Sequence, residues 1–127
     1  MSFLAASARA LAYTSRGLGA LQVLLGLAFW TGHLQGLVPL HVLNGLVIVA
    51  LLLAATAVGA AARERAAKVV AGLLWAPFVV WLGLRQGTLL PGAGHWIVQG
   101  AHLLVGLAAL ALIDQLTRRA RAKASAP

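Results

Sequence analysis

The chain has 127 residues, of which 61% are hydrophobic and 9% charged, and it contains no cysteine. Ten Lys and Arg stand against two acids, Glu64 and Asp114, for a formal net charge of +8. This composition excludes a disordered tail, which needs low hydrophobicity, and a soluble domain, which carries about a quarter charged residues. A soluble nucleic-acid binder would spread its basic charge over a wettable surface, so no nucleic-acid partner is expected. The missing cysteines exclude a disulfide scaffold, a Cys-ligated zinc site and an iron–sulfur cluster. With a mean hydropathy of +0.92, the expected class is a small integral membrane protein.

In chain order, residues 3–12 place Phe3, Leu4, Ala8 and Leu11 at helical spacing, which fits a short interfacial helix or a frayed terminus. Arg9 and Arg16 before an apolar run resemble a signal peptide, but no small-x-small cleavage site follows Trp30, so the segment is read as retained. A helix needs roughly 20 mostly apolar residues to cross about 30 Å of hydrocarbon. Four stretches approach that length: Leu18–His33, Pro39–Ala62, Val69–Leu84 and His95–Leu116. The first and third are short and are expected to extend by a turn. Gly36 with Pro39, the Arg63–Lys68 charge cluster, and Gly87 with Pro91, Gly92 and Gly94 separate them. Residues 122–127 are small and polar and read as a disordered tail. The expected fold is all-α: one transmembrane domain, an up-down-up-down four-helix bundle.

Basic residues near span ends set orientation. Arg9, Arg16, Arg63, Arg65, Lys68, Arg118, Arg119, Arg121 and Lys123 fall on one side of such a bundle, leaving Arg85 alone on the other. The expected location is a bacterial inner membrane with both termini cytoplasmic and anionic lipid beside the basic face. Trp30, Trp81 and Trp96 then form an outer aromatic belt, with Tyr13 at the inner one. Trp75 and Pro77 read as packing and a kink in the third span, and Gly17, Gly19 and Gly26 as close-packing residues. Asp114 precedes Arg118 by one helical turn and is expected to pair with it.

Two segments align without gaps, His41-Val-Leu-Asn-Gly45-Leu and His102-Leu-Leu-Val-Gly106-Leu. Trp30-Thr-Gly32 and Trp81-Leu-Gly83 stand upstream of them. The simplest account is a duplicated helical hairpin, packed about a pseudo-twofold axis along the membrane normal.

Ionisable side chains inside membranes are uncommon and point to function. All four histidines, His33, His41, His95 and His102, fall toward the outer face. His102 lies seven residues past His95, about 10 Å deeper at 1.5 Å per residue. The repeat makes His41 and His102 equivalent, on helices that are diagonal partners in such a bundle. Gly45 and Gly106, each one turn beyond its His, leave a flat slot that a porphyrin edge needs and a bare ion does not. His41 and His102 therefore read as the axial ligands of one b-type haem. Either His alone would fit an interhelical hydrogen bond, contributing roughly 1 kcal/mol. A zinc or copper site of three or four histidines competes poorly, since no carboxylate or thiolate stands nearby. His95, Gln99 and His102 form a polar stripe suited to haem propionates or to proton passage, and Arg85 could pair with a propionate. Interfacial solvation is the favoured account of His33, His95 and Arg85. A second haem on His33 and His95 is disfavoured, because both sit at span ends.

The stretch Leu21-Gln-Val-Leu-Leu-Gly-Leu-Ala-Phe-Trp-Thr-Gly32, followed by Pro39-Leu-His41 and a long Leu/Ala/Val run, resembles the haem A synthase family. The resemblance is best over residues 19–55, thinner over residues 95–112, and covers about half the chain. It implies a four-helix bundle with a His pair on its second and fourth helices near the outer face, where His41 and His102 match by motif and helix number. The family's catalytic half has a Glu three residues before its first ligand His and an Arg after it; here those positions hold Val38 and Val42. The family's loop cysteine pair is also missing, and the chain has only one four-helix unit. The chain is thus similar to the haem-b-holding half, as it is more loosely to small transmembrane cytochromes b.

The expected function is single-electron transfer near the outer face, with a quinol or a periplasmic redox protein as donor, rather than stand-alone enzymatic catalysis. Homo-oligomers and larger complexes both remain open. Two other classes compete: a non-redox membrane subunit or assembly factor, favoured by the Ala-rich faces of spans two and four, and a small transporter.

Overall fold

A computed structural model describes residues 3–122. Four helices, α1 (Phe3–Trp30), α2 (Val38–Ala61), α3 (Ala66–Arg85) and α4 (His95–Ala122), account for most of them, and no strand occurs among the described residues. Short 3₁₀ turns at Gln35–Leu37 and Gln86–Thr88 shape two of the three connections. α2 and α4 touch each other and both remaining helices, while α1 and α3 occupy opposite corners without a substantial mutual contact.

Helix ends follow local chemistry. α1 closes on Gly32, whose φ is +83°. The Gly32 N–H donates to the Phe29 carbonyl (3.0 Å) and the His33 N–H to that of Ala28 (2.8 Å), the paired bonds of a Schellman motif. α2 starts with proline in its first turn, where a missing N–H costs nothing. It ends in the same motif as α1, but with Arg63 in the left-handed position at φ +59° and the Glu64 N–H donating to the Gly59 carbonyl (2.9 Å). The Arg65 N–H donates to the Glu64 carboxylate (3.0 Å) and Lys68 lies 3.3 Å from it. That backbone bond first, and the lysine second, hold the Glu64 carboxyl below its ordinary range. α3 continues through Pro77 without a break.

Residues 3–12 do not form a separate interfacial helix. They are the first turns of α1, and Ala5, Ala8 and Ala12 are buried there. Ala8 packs with Ala62 and Ala120, small residues that let three helices approach closely. The larger core comprises Ile48, Val49, Leu52 and Ala55 of α2, Ala76 of α3, and Ala109, Ile113 and Leu116 of α4. α4 includes Ala122, and the rest of the expected tail, 123–127, lies outside the described residues.

α2, α3 and α4 are long and apolar enough to cross a membrane. α1 is long enough, but Arg16 and Gln22 dilute its apolar run. The bundle's outer surface carries exposed Leu24, Leu43, Leu53, Leu73, Leu74, Leu84 and Leu104.

Asp114 makes the expected ion pair with Arg118 and two more besides. Arg118 is 3.7 Å from its carboxylate, but Arg16 of α1 (2.9 Å) and Arg121 (2.8 Å) are closer. The carboxylate thereby ties α4 to α1.

Candidate functional site

The core just described fills one part of the bundle, and a cavity of about 590 Å³ occupies another. His41, in the first turn of α2, and His102, two turns into α4, line it from facing helices. Their ring centroids are 6.3 Å apart and the planes are inclined by 52°. Both Nδ1 atoms are buried without a hydrogen-bond partner. An unpaired buried polar group costs about 1–3 kcal/mol, a cost that both of these rings carry. The Phe29 ring meets His41 edge-on at 5.3 Å.

Glycine shapes the walls. Gly45 and Gly106 both line the cavity. A Cβ on Gly106 would meet nothing within 4 Å, whereas one on Gly45 would lie 3.0 Å from Gln22 Nε2. Two further glycines face the imidazoles directly: a Cβ on Gly26 of α1 would sit 3.5 Å from His41 Cε1, and one on Gly83 of α3 would sit 3.3 Å from His102 Cε1. By sequence alone Gly26 reads only as a close-packing residue, and Gly83 falls in a Trp-x-Gly repeat. Gly19 does pack closely, against Leu110, while a Cβ on Gly17 would meet nothing.

Gly26 and Gly83 also set the register between the hairpins, so Trp30 and Trp81 are not equivalent. Counted back from these glycines, Leu25 and Leu82, Gly19 and Ala76, and Ser15 and Gly72 are buried pairwise. Counted forward from the histidines, Ile48 and Ala109, Leu52 and Ile113, Ala55 and Leu116, and Thr56 and Thr117 match in the same way. Each threonine donates to the carbonyl one turn back, Thr56 to Leu52 (2.8 Å) and Thr117 to Ile113 (2.9 Å). Asn44 Nδ2 donates to the Leu18 carbonyl (3.0 Å), and at the corresponding positions Trp75 Nε1 donates to the Val105 carbonyl (3.1 Å). The same pair of positions is tied in each hairpin, with donor and acceptor exchanged.

Of the remaining candidates, His95 and Gln99 line the cavity with His102, so the polar stripe lies on its wall. His95 Nδ1 donates to the Leu89 carbonyl at 3.1 Å. His33 and Arg85 do not line it: His33 is exposed and bonds to Thr31 Oγ1 at 3.1 Å, and Arg85 is exposed at the end of α3. Gln22, which no sequence motif singles out, lines the cavity and accepts a 2.7 Å hydrogen bond from Asn44. No Asp, Glu, Lys or Arg lines the cavity.

Among the described residues, no three His, Cys, Asp or Glu side chains come together as a metal-holding group. Comparison with family models, with curated proteins and with solved structures returns no match.

Proposed function

We propose that the chain is a membrane-spanning b-type haem protein, in which His41 and His102 would hold the iron, and that it passes single electrons near the outer face. The separation of the two imidazoles carries this reading. Two imidazoles that share one metal atom at about 2 Å each can have ring centres roughly 6 Å apart, and here the centres are 6.3 Å apart. Among the described residues no metal-holding group of three side chains forms, which disfavours a bare zinc or copper ion and suits a macrocycle that brings its own four nitrogens. The cavity volume falls in the range of cofactor pockets, about 300–1,000 Å³. Gly83, tight against His102, and Gly106, which faces open space, leave the width a flat ligand needs.

Bound between these rings, haem supplies reversible one-electron chemistry. The chain's residues do the rest. His41 and His102 would fix the iron, the apolar lining would exclude water and set the potential by burial, and Gln99 and His95 would offer polar partners toward the rim. The exposed leucines fit a lipid-facing surface. A four-span, up-down-up-down crossing would leave Arg85 outside and the remaining described basic residues inside, in a bacterial inner membrane with cytoplasmic termini. The donor this placement serves is a quinol or a periplasmic redox protein. The matched hairpins support a duplication.

Protein purified from haem-replete cells should show a sharp Soret band with reduced α and β bands. His41→Ala/His102→Ala should lose all three, while Arg85→Gln should keep them. Survival of the spectrum in the double variant, or a colourless wild type, overturns the reading; a colourless protein co-purifying with a complex would establish the non-redox subunit instead.

A further inference from the structure

The cavity does not use the opposite end of the bundle, where Asp114 gathers arginines from two helices. Arg16 and Arg121 bind its Oδ1 at 2.9 and 2.8 Å. Arg118 stands 3.7 Å from Oδ2 with a largely exposed side chain, too far for a hydrogen bond. Arg9, Tyr13, Asp114, Arg118, Arg121 and Ala122 line an open cleft of about 540 Å³ between α1 and α4. Arg9 has no ion pair among the described residues. Four guanidinium groups around one carboxylate leave a surplus of three positive charges. The carboxylate holds Arg16 and Arg121 together, with Arg118 beside them, but cannot neutralise them all.

We infer that this cleft binds the phosphodiester headgroup of an anionic phospholipid, with Arg9 and Arg118 as the principal contacts. The inference rests on the membrane-spanning reading above, which puts this end at the cytoplasmic leaflet, where anionic lipid and basic pockets between helices meet. A phosphodiester accepts from several N–H donors at once, and arginine's planar fork suits it. Arg118 and Arg9 are the two guanidiniums with the most donors to spare, since Arg16 and Arg121 are held by Asp114. Tyr13 is 69% exposed, with the Arg16 guanidinium 5.8 Å from its ring centre, an amphipathic side chain suited to headgroup depth. α1 and α4 both expose leucines further along, Leu21 and Leu24 on one and Leu104 and Leu107 on the other. Such surfaces accommodate acyl chains, which favours a lipid over a free phosphate ion.

The test is native mass spectrometry of the full chain released from nanodiscs of mixed phosphatidylcholine and phosphatidylglycerol, with its absorption spectrum recorded in parallel. Wild-type protein should retain phosphatidylglycerol preferentially, and Arg9→Gln/Arg118→Gln should weaken that preference about fivefold per arginine removed. Arg118→Lys should keep most of it, and Arg85→Gln, at the other end, should keep all of it. Should the double variant misfold by circular dichroism, the single Arg118→Gln, at an exposed position, carries the same test. Equal retention of both lipids, an unchanged preference in the Arg9/Arg118 variants, or equal occupancy by inorganic phosphate in detergent would each overturn the lipid site. Lipid selectivity without a haem spectrum would sink the haem reading and leave this one standing. Release of the protein from membranes by alkaline carbonate would sink the membrane reading on which it depends.

Discussion

Glycine, more than histidine, decides what the cavity can hold. Gly26 and Gly83 stand against the two Cε1 atoms at different distances, 3.5 and 3.3 Å for an added Cβ. The first is ordinary van der Waals contact, and the second obliges the neighbour to yield by a few tenths of an ångström. Gly26→Ala should therefore leave the haem spectrum unchanged. Gly83→Ala should move the His102 ring and shift the reduced α band or lower haem retention. Gly106→Leu, projecting into space where a Cβ meets nothing, should abolish haem retention while helicity by circular dichroism stays intact. An equal effect of the Gly26 and Gly83 substitutions would contradict this description of the walls. His41 and His102 were legible in the sequence because the motif around them repeats without gaps. Gly26 and Gly83 were not. The connection between α3 and α4 is longer than that between α1 and α2, and the tryptophans offered a false register.

At the scale of elements, helix ends and helix crossings were legible to different degrees. Gly32 and Pro39 announce the end of α1 and the start of α2. The long-range partners of Asp114 were hidden, since helical spacing reveals Arg118 but not Arg16, 98 positions away in the chain. The continuity of α1 through residues 3–12 was hidden for a related reason: Ala5, Ala8 and Ala12 are too small to look like a buried face until Ala62 and Ala120 are seen against Ala8. Two substitutions test the element-level physics. Arg63 occupies a left-handed position that costs a non-glycine residue roughly 1–2 kcal/mol, partly offset by the unfolded-state entropy of glycine. Arg63→Gly should thus stabilise the bundle by about 0.5–1 kcal/mol, read as a rise in Tm. At the crossing of α2 and α3, a Cβ on Gly72 would run into Thr56 Oγ1, and that hydroxyl is committed to the Leu52 carbonyl. Gly72→Ala should cost about 1–3 kcal/mol by overpacking. Adding Thr56→Ala should recover part of the loss, giving a non-additive double-mutant cycle. Strict additivity would show that the two residues do not meet.

For the whole molecule, the matched hairpins and the distribution of charge make one joint demand. Four pairs of positions related by the register from His41 and His102 are buried together on α2 and α4, and three pairs related by Gly26 and Gly83 are buried together on α1 and α3. Two hairpins of like construction entering a bilayer in the same sense would place the α1–α2 and α3–α4 connections on one side and the α2–α3 connection on the other. The charges agree: Arg63, Arg65 and Lys68 cluster at the α2–α3 connection, and among the described basic residues Arg85 alone stands at the other end. The absence of native cysteine makes the arrangement directly measurable. Gly36 and Gly87 are exposed, and a Cβ there meets nothing; Ala66, the first residue of α3, is also exposed. In spheroplasts, a membrane-impermeant maleimide should label Gly36→Cys and Gly87→Cys at once, and Ala66→Cys only after permeabilisation. Labelling of Ala66→Cys in intact spheroplasts together with either of the others would break the alternation. Labelling of Ala66→Cys alone would invert the bundle, putting His41 and His102 near the cytoplasmic face and removing a periplasmic donor from consideration.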